Sequence, residues 1–240
     1  MTLLLAMSCF QSRTQDAALD ALFPHISEGR VDGIQLTPGN LPSPNFRKRI
    51  DGLRADGVVV QFHQGFSWTH YRRHVLDGEL QPIALERDRS IHAPRLEARH
   101  GRDPGPFATW EQWLPTVLEH DLLVETMYPG YALGTGVELD DAMSAGVRLA
   151  VDIAHLSIQV EAGVLSSSTL ERVLSYDKLC EVHVSHSAKG KDTHSRLRHD
   201  TPMLDWARSM IGQVPVVLES YWHKLSVDEQ RQQLELLTCM

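Results

Sequence analysis

A (β/α)8 barrel is the fold this sequence predicts, and three observations predict it. Eight short runs rich in Val, Ile and Leu recur between turn residues. Segments with helix-like spacing separate most of them. The 240 residues then divide into about 30 per unit, which suits a compact barrel of this kind.

The strands are expected at "TLLLAMS" (2–8), "DGIQLT" (32–37), "GVVVQFH" (57–63), "RSIHA" (89–93), "DLLVET" (121–126), "RLAVDIA" (148–154), "LCEVHVS" (179–185) and "VPVVLES" (214–220). Several are almost continuous β-branched and Leu residues, as strands of a parallel sheet covered on both faces should be. Helices are expected over 14–26, 43–55, 108–120, 138–146, 166–175, 201–211 and 226–237. Ser43 before Pro44, Ser168 with Glu171 three positions on, and Thr201 before Pro202 read as helix starts. Residues 64–88 read as a long loop with a poor helix, and 97–107 as a loop. No Gly-rich phosphate fingerprint follows the first strand, which disfavours a doubly wound sheet. No linker or break in composition divides residues 1–240, so one barrel domain is expected.

Composition narrows the function. A net charge of −8 argues against an extended DNA-binding face. Cys9, Cys180 and Cys239 are odd in number and scattered, which fits reduced thiols in a cytoplasm. "MTLLLAMSCF" lacks a basic leader and is shorter than a membrane span, so it reads as a buried strand.

Ionisable residues mark the C-terminal ends of six consecutive strands: His63, His92, Glu125, Asp152 with His155 behind it, His183 and Glu219. The steps between strand ends are 29, 33, 27, 31 and 36 residues, each about one βα unit, so all should reach one barrel mouth. A single histidine or carboxylate at a strand end is commonly a hydrogen-bonded rim residue or a helix cap. A regular series is different, because crowded carboxylates and imidazoles need cations between them. Such donors suit Zn, Mn or Fe, and shared carboxylates allow more than one ion. Asp192 and His194 extend the series from the loop after the seventh strand. His186 and His199 read as surface or supporting groups, and His70 and His74 as a solvated loop. Lys189, Lys191, Arg196 and Arg198 form a basic patch; either they solubilise the loop, or Lys189 and Arg196 grip an anionic substrate group.

In order, "QFHQG", "SIHAP", "LVETMYPG", "VDIAHL", "EVHVS", "DTH" and "VVLES" resemble the xylose-isomerase-like TIM barrels. That superfamily holds sugar isomerases and epimerases, the DNA-repair enzyme endonuclease IV, and multinuclear iron oxidases that modify peptides. The resemblance implies metal ligands at His63, His92, Glu125, Asp152, His155, His183, Asp192, His194 and Glu219, with Glu125 and Glu219 bridging. One-metal isomerases use chiefly the equivalents of Glu125, Asp152, His183 and Glu219, with two glutamates, here Glu125 and Glu219, moving a proton. The "DTH" pair is superfluous there and favours the branches with two or three ions. Endonuclease-IV-like chemistry would be metal-assisted hydrolysis of a phosphoester; the oxidase branch would bind iron and oxidise a peptide or thiol. The chain is too short for DNA-gripping loops and shows no peptide-recognition domain. A small polar or phosphorylated substrate and hydrolysis are therefore the first expectation. Isomerisation, oxidation of a peptide, and a non-catalytic metal-binding barrel are the alternatives.

Overall fold

The computed structural model describes residues 2–37, 39–64, 89–96 and 107–238. Eight parallel strands close a barrel: β1 (Leu3–Ala6), β2 (Gly33–Leu36), β3 (Val59–Gln64), β4 (Arg89–His92), β5 (Leu123–Glu125), β6 (Arg148–Asp152), β7 (Leu179–Val184) and β10 (Val216–Leu218). Neighbours in the sheet are neighbours in sequence, and β1 pairs with β10 to complete the ring. Two short strands, β8 (His186–Ala188) and β9 (Lys191–Ser195), form a separate antiparallel hairpin. The helices are α1 (Gln15–Ser27), α2 (Phe46–Ala55), α3 (Trp110–Glu119), α4 (Gly136–Ala145), α5 (Ile153–Glu161), α6 (Ser167–Leu174), α7 (Leu204–Met210) and α8 (Val227–Thr238). All eight expected strands are therefore barrel strands.

The strands form because their residues fit a surface buried on both sides. Every residue of β1 is buried, as are Val124 of β5 and the LAVD run of β6. Helices close the outer layer through apolar stripes such as Trp110, Trp113 and Val117 of α3, all buried at helical spacing. The Trp110 indole donates to Asp141 Oδ2 at 2.8 Å, which satisfies its one polar atom.

Several boundaries differ from the sequence reading. β1 stops at Ala6, where Met7–Phe10 tightens into a 3-10 turn. The run expected as strand to residue 154 turns helical at Ile153, because the Asp152 side chain caps the new helix. The helix expected from 43 starts at Phe46 and the one expected from 201 starts at Leu204. α6 is capped by Ser166, not Ser168; its Oγ accepts from Thr169 N at 3.1 Å. The loop after β7 contains the β8–β9 hairpin. The readings of 65–88, with His70 and His74, and of 97–106 lie outside the described residues.

Candidate metal centre

Alternate side chains of each strand face the barrel axis, and the sheet register brings their ends level. His92 of β4 pairs with Glu125 of β5, and Asp152 of β6 with His183 of β7. Glu219 follows β10, held by its own N–H to Val184 O at 3.0 Å. A bulge opposite Leu149 and Ala150 leaves Cys180 unpaired in β7 and sets Glu181 and His183 on the inward face.

The two residues beyond the barrel strands arrive differently. β6 runs into α5 with no loop, since Asp152 Oδ1 accepts from Ala154 N at 2.6 Å and His155 N at 3.0 Å. His155 therefore stands in the first turn of α5, one turn from Asp152. The hairpin carries Asp192 and His194 over the mouth. Its tip, Lys189–Gly190, has positive φ at both residues, as a type I′ hairpin turn requires. His194 also has φ of 42°, uncommon for a side chain larger than glycine. Its carbonyl accepts from Tyr221 N at 2.8 Å, and Ser195 O accepts from the Ser220 hydroxyl at 3.0 Å, which fix the hairpin against the loop after β10.

The nine residues nominated as ligands form one contiguous cluster. Glu125 Oε2 lies 2.8 Å from His92 Nε2 and 3.5 Å from His63 Nε2. Its Oε1 lies 2.9 Å from His183 Nδ1, which is 3.6 Å from Glu219 Oε1. His155 Nε2 and His194 Nε2 flank Asp192 Oδ2 at 3.4 and 3.3 Å, and His194 Nδ1 is 3.9 Å from Glu219 Oε2. Three groups have donor atoms all within 4.8 Å of one another: His63, His92 and Glu125; Glu125, Asp152, His183 and Glu219; and His63, Glu181 and His183. The first two share Glu125. His155, Asp192 and His194 make a looser trio beside them.

Hydrogen bonds fix which nitrogen each ring offers. His155 Nδ1 is 2.8 Å from Thr126 O, which only accepts, so Nδ1 carries the proton. His183 Nε2 meets the Glu181 carboxylate and donates to it. The Ser90 hydroxyl donates to Glu181, so its oxygen accepts from His63 Nδ1 at 2.9 Å. In each ring the other nitrogen, Nε2 of His155, Nδ1 of His183 and Nε2 of His63, faces carboxylate oxygens. Neutral rings there would set lone pair against lone pair; a cation or a further proton must lie between. Asp152 Oδ2 and Asp192 Oδ1 are buried with no hydrogen-bond partner, although buried carboxylate oxygens need one. The donor set therefore fits divalent ions.

The electrostatics of these groups follow from burial and proximity. Burial raises the Glu125 carboxyl, but the rings of His92, His183 and His63 outweigh it and hold it well below the usual range. Burial raises Glu219 and Asp152, each only partly offset by neighbouring histidines. His63 is pushed well down by burial. Burial lowers His183, yet Glu219 and Glu125 win and it lies well above the ordinary value. His194 is lifted to about 9 against its burial, chiefly by Asp192.

The other nominated residues lie apart from this cluster. Lys189 is exposed at the hairpin tip, and exposed Arg196 is 3.4 Å from Glu229. His186 Nδ1 is 3.2 Å from Thr201 Oγ1, and His199 is exposed. The sequence reading missed the polar layer beneath the cluster: Gln35, Ser90 and Glu181, all buried. The signal was there, since Ser90 and Glu181 each precede a strand-end histidine by two, the period of one strand face.

No protein-family model matches the sequence, and no curated protein matches it. Among solved structures, D-allulose 3-epimerase from Methylomonas sp., in complex with D-allulose, matches with TM-score 0.64 and 14% identity, covering 99% of this chain and 95% of that one. L-ribulose 3-epimerase matches at 0.52 and 15%, covering 97% and 85%. SacUVDE matches at 0.53 and 13%, covering 99% and 96%. These likenesses show the fold, a closed (β/α)8 barrel.

Proposed function

We propose that this chain is a metal-dependent enzyme whose barrel mouth binds two or three divalent ions and hydrolyses a small polar or phosphorylated substrate. The observation that carries the reading is the orientation of His63, His155 and His183: each ring is anchored through one nitrogen and turns the other toward carboxylates. His63, His92 and Glu125 would hold one ion, and Glu125, Asp152, His183 and Glu219 a second. His155, Asp192 and His194 would hold a third. Oxygen and imidazole donors of this kind suit Zn, Mn or Fe. When bound, such ions polarise an ester oxygen and make a coordinated water more acidic.

The chain's own residues do the rest. Glu125 ties the first two groups together, and Glu219 spans His183 and His194, so substrate atoms entering the mouth meet a fixed array. Glu219, only 4% exposed, is the carboxylate placed to accept a proton from an attacking water. The apolar layers around the barrel keep bulk water from the buried donors. Net charge −8 favours a small molecule over extended DNA. No helix of the described residues is long and apolar enough to cross a membrane. Cys9 and Cys180 are free thiols, which fits a cytoplasmic setting.

A second reading rests on the compact group Glu125, Asp152, His183 and Glu219 together with a fold shared with two sugar epimerases. There one ion would suffice, and Glu125 and Glu219 would move a proton at the carbon beside a carbonyl.

Chelator-stripped protein reloaded with Zn2+ or Mn2+ and assayed against a chromogenic phosphoester and a ketohexose separates the two. Metal-dependent phosphoester turnover is expected. Ketose epimerisation with one ion bound would replace the hydrolytic reading by the second.

A further inference from the structure

We infer that Glu181 is the positioning residue of this centre: one carboxylate, beneath the mouth, orients the rings of two different ligand groups. The inference rests on the metal-binding reading above and deepens it.

Glu181 is 1% exposed, a costly place for a carboxylate. Its Oε1 accepts from three side chains: His183 Nε2, the Ser90 hydroxyl, and Gln35 Nε2 at 2.9 Å. The contact with His183 is direct and aims Nδ1 of that ring at Glu125 and Glu219. The second is relayed. Ser90 has one proton and gives it to Glu181, so its oxygen accepts from His63 Nδ1 and aims Nε2 at Glu125 Oε2. Strand geometry makes both links possible, since Glu181 is two residues before His183 on one inward face and Ser90 is aligned with His63 in the sheet.

Glu181 could instead be a ligand, as its distance from His63 and His183 would allow. Three donors already converge on Oε1, and His183 Nε2 carries the proton it donates there, so an ion at that spot would have to displace the network. A carboxylate behind a ligating histidine fixes the ring and raises its basicity; losing such a partner weakens metal binding about 10- to 100-fold.

Zinc titration of the full chain against a competing chelator tests this, with ions per chain counted and histidine 15N shifts recorded on the Zn-loaded protein. Glu181→Ala should weaken two of the ions about 10- to 100-fold and mix the tautomers of His63 and His183. The ion at His155, Asp192 and His194 should be retained. Glu181→Gln keeps an accepting oxygen and should recover most of the loss. Ser90→Ala should disturb His63 and leave His183 as it was, a readout that remains if Glu181→Ala does not fold. Unchanged affinity and tautomers in Glu181→Ala and Ser90→Ala would overturn the assignment. So would loss of one whole ion in both Glu181→Ala and Glu181→Gln, which would make Glu181 a ligand. A wild-type chain that binds no zinc would bring down the metal reading itself.

Discussion

Glu125 lies within 3.7 Å of nitrogens on four histidines: His63, His92, His155 and His183. Glu125→Gln keeps its shape and removes its charge, so at least one ion should be lost and turnover should fall by at least the roughly 10- to 100-fold that losing a partner behind a ligand costs. Metal analysis with single-turnover assays checks this, and full ion content would exclude Glu125 as a shared ligand. His194 supplies a pH signature in the metal-free chain. Its pKa of about 9 stands above the ordinary 6.5 because Asp192, Glu219 and Asp152 face it. A raised folded-state value means that its stabilising charge is fully present below about 6.5 and lost as pH climbs through about 9. Denaturant melts of chelator-treated protein should weaken across that window, and His194→Asn should flatten the trend. At this scale the strand-end residues were legible because carboxylates and imidazoles do not belong at apolar strand ends. Glu181 and Ser90 were not, because their role depends on a tautomer set by contacts across the barrel.

Two elements carry function through their backbone. Asp152 does two jobs with two oxygens: Oδ1 caps α5, while Oδ2 faces the site with no hydrogen-bond partner. Asp152→Asn keeps a capping oxygen, so thermal stability should hold while ion affinity falls. Asp152→Ala should lose both, with a cap cost of about 1 kcal/mol. Equal destabilisation by the two variants would contradict this division. In the hairpin, Gly190 has φ of 64°, a backbone conformation that residues with a side chain rarely adopt, whereas a Cβ there would make only an ordinary contact with Glu161 Oε2. Gly190→Val should cost about 1–2 kcal/mol locally and loosen the ion held by Asp192 and His194 before the others, as ions counted per chain would show. Neither element was plain in the sequence. In "VDIAHLSIQV" the apolar residues Ala154, Leu156, Ile158 and Val160 alternate as in a strand although they lie in α5, so period alone could not place the strand-to-helix switch. The hairpin is short and polar, with only Lys-Gly to signal its turn.

Over the whole molecule, the barrel converts sequence distance into proximity. Residues from 63 to 219 meet because each βα unit returns the chain to the same end of the sheet. That regularity made fold class and mouth readable from spacing alone. The polar layer beneath the mouth was harder to see, since it comes from β2, β4 and β7 at once. Closure also means that ions would join elements far apart in the chain, so removing them should lower stability of the whole barrel. Chelation should reduce the melting temperature, and reloading should restore it. Elemental analysis of the chain after reloading with Zn2+, Mn2+ or Fe2+ at about pH 8 is the sharpest test of the metal centre. Two or three ions per chain are predicted, reduced by at least one in Asp192→Ala, whereas a chain that retains no ion under any of these conditions would contradict it.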